Sequence, residues 1–442
     1  MYPDMKSKSA RLYAEACNYL PGGNTRRQVY MSPYQLYAER GEGFNITDVD
    51  GVVRIDFSNN ATSLVHGHAH PEVVAAVKAQ LERGTAFTIA TESEIRLAKL
   101  LCERIPSVER VRFTNSGTEG VMMAIKAARA FTKRPKIAKC EGAYHGSYDF
   151  AEVSLAPTPE FWGADDAPKT VAYGPGTPDG VLNNVLVLPY NNPEAAERLI
   201  EAHKHELACI VVDLMPGHLN FVEISPAFLS TLRRVTQAHG IVLIYDEVIS
   251  LRLGYHGNQR EVGVLPDLTA MGKIIGGGFP VGAVGGRADI MGVFDPRGGK
   301  PVISHAGTFN ANPITMTAGR KTMELFTEQE VRRINRLGDE LRTGLRAVLK
   351  EESIPGRISG KGSLFKLAFY PQEVSDYRGV YRASAGTGSF MPLFQYLLNH
   401  GIMMGNEGRG AISTPMTQNE IGRLTEAVRN GVRELKKELM AA

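Results

Sequence analysis

The chain has 442 residues, 43% hydrophobic and 22% charged, which is the composition of a folded globular protein with more than one domain. Its 50 basic and 47 acidic residues leave a formal charge of +3, so no electrostatic argument favours nucleic acid or an anionic membrane as partner. It lacks an apolar run long enough to span a bilayer and a signal-peptide core, and Cys17, Cys102, Cys140 and Cys209 are scattered without C-x-x-C or zinc spacing, so the expectation is a cytoplasmic protein with free thiols.

In chain order, the first 45 or so residues read as a helix and a Gly/Pro-rich turn, LPGGNTRRQ. GFNITDVDGVVRIDFSN alternates around Asp50-Gly51 and reads as a hairpin. From about residue 72 apolar helices alternate with short β-branched runs. PEVVAAVKAQLERG and ESEIRLAKLLCERI are helices; RVRFTNSGTEG is a strand entering a turn, with the helix VMMAIKAARAFT after it. KIAKCEG, LACIVVDLM and IVLIYDEV are strands, and PAFLSTLRRVTQAHG is a helix closed by Gly240. Continuous apolar strands alternating with helices predict a mostly parallel α/β sheet covered on both faces.

The long segment SLAPTPEFWGADDAPKTVAYGPGTPDGVLNN, with the only tryptophan, Trp162, reads as a loop, over the mouth of a site or simply on the surface. Beyond it EQEVRRINRLGDELRTGLRAVLKEE is a long amphipathic helix, and SLFKLAFY is a strand candidate. Thr417 and Glu420 have capping-box spacing before the apolar stripe Ile421, Leu424, Val428, Val432 and Leu435. The resulting division is 1–55 joining a smaller domain, 56–320 as the large domain and 321–442 as the small α+β domain.

Three features fall where strands of an open α/β sheet end, which is where such sheets bind ligands. Ser116, Gly117 and Thr118 in NSGTEG lie between strand and helix, suited to a phosphate or to simple helix capping. Asp246 ends an apolar strand and needs a partner there: an arginine, a helix start or a protonated ring nitrogen. Lys273 is the one charge in AMGKIIGGG; desolvated, its amine is a nucleophile for carbonyls, and otherwise it snorkels to the surface. Together they match the parts of a pyridoxal 5'-phosphate site, with Lys273 as Schiff-base lysine and Asp246 holding the ring nitrogen protonated. Tyr144 and His145 in GAYHGSYD follow another strand and place an aromatic ring for stacking.

PGGNTR, GHAHPEV, RFTNSGTE, GAYHG, YDEVIS, GKIIGGGFPVGAVGGRADIM and GTFNANPIT occur in this order along nearly the whole chain. In that order they resemble the class III pyridoxal-phosphate aminotransferases, on the glutamate-1-semialdehyde aminomutase branch and nearest its aromatic β-amino acid aminotransferases. The resemblance implies a fold-type I homodimer with active sites shared between subunits. It implies that Lys273 carries the cofactor and shuttles the proton, that Asp246 meets the pyridine nitrogen and that Val248 packs on the ring face opposite Tyr144. Ser116, Gly117 and Thr118 would hold the phosphate, with Thr308 reaching it from the partner subunit. Arg26 in PGGNTR and Arg409 in NEGRG would bind substrate carboxylates through the guanidinium fork, unless they serve as ordinary ion pairs. The family's usual Glu-Pro is replaced here by Asp213-Leu214, and His218 stands where an asparagine is common, both near the ring.

The expected reaction moves an amino group from an amino acid to a 2-oxo acid. The alternatives on the same scaffold are aminomutase-type isomerisation, a D-phenylglycine-type aminotransferase and a racemase. A non-catalytic cofactor-binding protein is the reading from another class.

Overall fold

Seven apolar runs pair into one sheet because each is too continuous in Val, Ile, Leu and Ala to leave either face in water. In the computed structural model, which describes residues 1–385 and 389–440, these strands lie in the larger of two units, Glu72–Val331 with Val374–Tyr381. Numbered along the chain within this sheet, they are β1 (Arg110–Thr114), β2 (Lys136–Cys140), β3 (Val185–Leu188), β4 (Leu207–Asp213), β5 (Val242–Asp246), β6 (Leu268–Gly272) and β7 (Gly282–Gly286). The sheet order is β1-β7-β6-β5-β4-β2-β3. The strands from β6 through β3 pair in parallel, and β7 runs antiparallel to both β6 and β1.

β3, β6 and β7 were not among the expected strands. GAVGG carries little β signal, since glycine has no side chain to pack. Its place is explained by close approach: a Cβ at Gly282 would lie 1.8 Å from the Ser116 carbonyl oxygen, and one at Gly120 would lie 2.8 Å from that of Ala283. Only glycine lets the start of the Gly117–Thr132 helix and β7 approach so closely.

Alternation along the strands sends residues to two cores. Ile137, Val187, Val211, Ile244 and Val284 pack with Val121, Ala124, Ile125 and Ala128 of the Gly117–Thr132 helix. Ala138, Leu188, Ile210, Leu243 and Tyr245 pack on the other face with Phe228, Leu232 and Val235 of the Pro226–His239 helix. That helix opens with the Ser225 side chain accepting the Phe228 N–H, and it closes on Gly240 at φ 61°, the end expected from sequence.

The second unit comprises Met1–Pro71, Arg332–Glu373 and the chain from Arg382 onward. The expected hairpin forms from Asn45–Asp48 and Val53–Asp56, and Asp48 Oδ1 accepts the N–H groups of Asp50 and Val52 across the turn. Ile402–Met403 adds in parallel to Val53–Asp56. Leu364–Ala368 is the centre of a separate sheet between Arg357–Ser359 and Arg409–Ala411. The Gln418–Glu434 helix carries the Thr417/Glu420 capping box and buries Ile421, Leu424, Val428 and Val432. Among the described residues no helix is long and apolar enough to cross a membrane, and no cluster of His, Cys, Asp and Glu suits a metal ion.

Candidate active site

The carboxyl ends of β1, β2, β4, β5 and β6 point the same way, and each hands the chain to one of the expected site segments. At the end of β5 Asp246 is buried, and both its oxygens are engaged. Oδ1 accepts the Val248 N–H at 3.0 Å, and Oδ2 lies 2.9 Å from His145 Nδ1. His145 is fully buried, and burial lowers its pKa against the opposing pull of Asp246, so the ring is neutral and donates its Nδ1–H to the carboxylate. Its Nε2 is buried without a hydrogen-bond partner.

The adjoining acid, Glu247, does different work. It accepts the N–H groups of Asn258 (2.7 Å) and Gln259 (3.0 Å), the Gln259 amide (3.0 Å) and the Ser250 hydroxyl (3.3 Å). Burial raises its pKa, opposed by these donors. One acid at this strand end is structural, then, and the other faces the site.

Lys273 follows β6 directly, three residues past Ala270, the register partner of Asp246. Its backbone is left-handed, with φ 48°. A lysine held there costs on the order of 1–2 kcal/mol, a strain that clusters at functional sites. Val248 packs between neighbours: a Cβ on Gly117 would lie 3.0 Å from its methyls, and one on Gly272 would lie 3.3 Å from one of them.

NSGTEG forms the start of the 16-residue Gly117–Thr132 helix. The Ser116 hydroxyl accepts the Glu119 N–H at 3.2 Å, and Glu119 Oε2 accepts the N–H groups of Ser116 (3.1 Å) and Asn115 (2.6 Å). The capping reading of Ser116 therefore holds. S-x-x-E at 116–119 was the sequence signal for Glu119, which the motif reading passed over. The N–H groups of Gly117 and Thr118 remain at the positive end of the helix, and Thr118 Oγ1 accepts the Ser147 N–H at 3.3 Å.

After β2, the Tyr144 ring stacks on His218 with centroids 5.2 Å apart and planes 25° from parallel. At the end of β4 Asp213 is buried, is the register partner of Asp246 and accepts the Met215 N–H on Oδ1 at 2.8 Å. Burial first, then Asp246, drives its carboxyl well above the usual range. Thr308 is exposed beside exposed Phe309, on a segment tied down by the Asn115–Asn310 amide bond of 2.7 Å.

Arg26 and Arg409 belong to the other unit. Arg26 is exposed and donates to Asn60 Oδ1 at 2.7 Å. Asn59, Asn60, Ala61 and Thr62 all have positive φ (47°, 48°, 54° and 73°), a left-handed turn rarely built from non-glycine residues. Arg409 pairs with Glu407 at 2.6 Å and sits in register with Lys366, whose buried ammonium is lowered to about 8 by burial and by that arginine. Both arginines thus have protein partners in this structure.

An open cavity of about 750 Å³ lies elsewhere in the large unit, lined by Arg83, Phe87, Arg96 and Arg320 among others. None of the site residues lines it.

Comparison with known proteins follows this geometry. The sequence model described as Aminotransferase class-III matches residues 27–419. A glutamate-1-semialdehyde 2,1-aminomutase of Methanothermobacter thermautotrophicus is 40% identical over 90% of this chain and 91% of its own. An omega-transaminase from Sphaerobacter thermophilus has a crystal structure matching with TM-score 0.96 at 50% identity, covering 98% of this chain and 99% of that one. A β-phenylalanine aminotransferase from Variovorax paradoxus matches with TM-score 0.88 at 36% identity, covering 98% and 95%.

Proposed function

The chain belongs to the class-III aminotransferases, and on that premise we propose that it moves the amino group of an amino acid, of the aromatic β class, to a 2-oxo acid. It is a pyridoxal-phosphate enzyme of the transaminase type with the fold-type I architecture. The residues fit that cofactor. The unpartnered Nε2 of His145 marks a polar place next to Asp246, and Gly117 and Gly272 leave a cradle against Val248 that side chains would fill.

Bound pyridoxal phosphate supplies an electrophilic carbon for amines and an electron sink for the bonds around the amino-bearing carbon. Lys273 Nζ would hold the cofactor and would serve as the base that removes and returns the donor's proton. Asp246, oriented by the His145 Nδ1–H, would meet the ring nitrogen. Val248 and Tyr144 would pack against the ring, and His218 stacks on Tyr144. The N–H groups of Gly117 and Thr118, at the helix start that Ser116 and Glu119 close, receive the phosphate. Arg26 and Arg409 orient substrate carboxylates, exchanging Asn60 and Glu407 for them.

The observation that supports the reading is Lys273, left-handed at the end of β6, one strand from the Asp246–His145 pair. The likeness to the β-phenylalanine enzyme supports the aromatic β-amino donor. The test is a screen of α-, β- and ω-amino compounds with 2-oxoglutarate and pyruvate, with Lys273→Ala as control. Turnover that needs no oxo acid would establish the aminomutase reaction instead, and loss of donor chirality without transfer would establish a racemase. A homodimer is part of the proposal, since Phe87, Ile89, Val302 and Phe309 are exposed on the large unit and exposed Thr308 adjoins Phe309 in the chain. Sedimentation of the full chain tests it.

A further inference from the structure

Asp213 and Asp246 stand side by side at the ends of two neighbouring parallel strands, and both are buried. Register partners point to the same face of a sheet, and adjacent strands are about 4.8 Å apart, too close for two unscreened buried anions. Their surroundings are unequal. Asp246 accepts one N–H and one imidazole N–H, on different oxygens. Asp213 accepts the Met215 N–H on Oδ1.

We propose that the two carboxyls share one proton and that Asp213 carries it, so that Asp213 is a neutral hydrogen-bond donor at the end of β4 while Asp246 keeps the negative charge. The second half rests on the functional reading above, in which Asp246 serves the cofactor ring. Donors settle the assignment: an anion is favoured where more N–H groups point at it, and that is Asp246. Glu247, just past β5, also opposes charge on Asp213, and Lys273 beyond β6 favours it. Burial together with the two acids outweighs the lysine. Asp213 thus presents a neutral O–H to an acceptor on cofactor or substrate. The replacement of the family's usual Glu matters here, because the shorter side chain holds the acid group close to the sheet and beside its neighbour.

The test is infrared spectroscopy of the full chain, with and without pyridoxal phosphate, across pH. Wild type is expected to show a buried protonated-carboxyl C=O stretch at neutral pH that Asp213→Asn lacks. In Asp246→Asn the same band should titrate at a pH lower by about one unit or more, because the like charge is gone. Cofactor affinity in wild type should weaken as pH rises through the loss of the band, and Asp213→Asn should be flat over that range. No band in wild type, a band unchanged in Asp213→Asn, or an unmoved midpoint in Asp246→Asn would each overturn the proposal. Should Asp213→Asn fail to fold, the wild-type titration and Asp246→Asn still decide. An active transaminase without the band sinks only the shared proton, and a band in a protein with no amino transfer sinks only the functional reading.

Discussion

His145 Nδ1 lies 2.9 Å from Asp246 Oδ2, and both side chains are buried at the ends of strands that are not neighbours, with β4 between them. The segment that follows β2 therefore carries His145 across the end of β4 to hold the carboxylate.

Breaking that contact weakens cofactor binding. Asp246→Asn removes the acceptor's charge, and a hydrogen bond to a charged group contributes about 1.5–3 kcal/mol. The expected loss in pyridoxal-phosphate affinity is about 10- to 100-fold, measured by equilibrium fluorescence titration of the apoprotein. Affinity within twofold of wild type would count against a role for Asp246 at the ring.

Ser116 tests cap against cup. Its hydroxyl and N–H are both committed to the capping box with Glu119. Ser116→Ala should lower unfolding stability by about 1 kcal/mol in urea. If the phosphate depends on the hydroxyl as well, cofactor affinity falls further than stability alone explains. If not, it stays within a few-fold.

Arg378 anchors a segment from late in the chain to the large unit. Its guanidinium is bidentate on buried Glu141 (2.8 and 3.1 Å), meets Asp165 at 2.8 Å and lies over the Trp162 ring at 5.1 Å. Arg378→Ala leaves Glu141 buried without its ion-pair partner and should destabilise the protein by about 3–5 kcal/mol in denaturant melts. Adding Glu141→Leu should recover part of the loss, and a fully additive double mutant would rule out the pairing.

Lys139 predicts a pH dependence. It is fully buried, donates to the Val153 carbonyl at 2.7 Å, and burial lowers its pKa from 10.5 to about 7. Between those two values the unfolded chain binds the proton and the native protein does not, so this residue makes stability rise with pH across that window and fall as pH drops through about 7. Lys139→Met should flatten the rise in a series of urea melts, and an unchanged slope would refute the assignment.

What could be read from residues alone was local. The periods of apolar side chains marked β1, β2, β4 and β5, and short-range signals marked the Gly240 helix end and the Thr417/Glu420 box, since each depends on neighbours within a few positions. The motifs likewise put Lys273, Asp246 and the Gly117–Thr118 turn at strand ends, because strand-to-helix junctions are visible as an apolar run meeting glycine or a polar cluster. The glycine strand β7 escaped because its identity lies in close approach to Ser116, not in β-propensity. Trp162, placed by composition in a loop over a site mouth or on the surface, is buried against Arg378 and Tyr381, partners more than 200 positions away.

The amino-acid order therefore determined which side chains carry the chemistry, since reactivity belongs to residue type and to the segment around it. Only the tertiary structure decided which of them meet. Sheet order set His145 on Asp246 and Asp213 beside it, so that two buried acids stand side by side with unequal sets of donors. Those are properties of distance and burial, and a chain acquires them only when strands far apart in sequence lie next to one another.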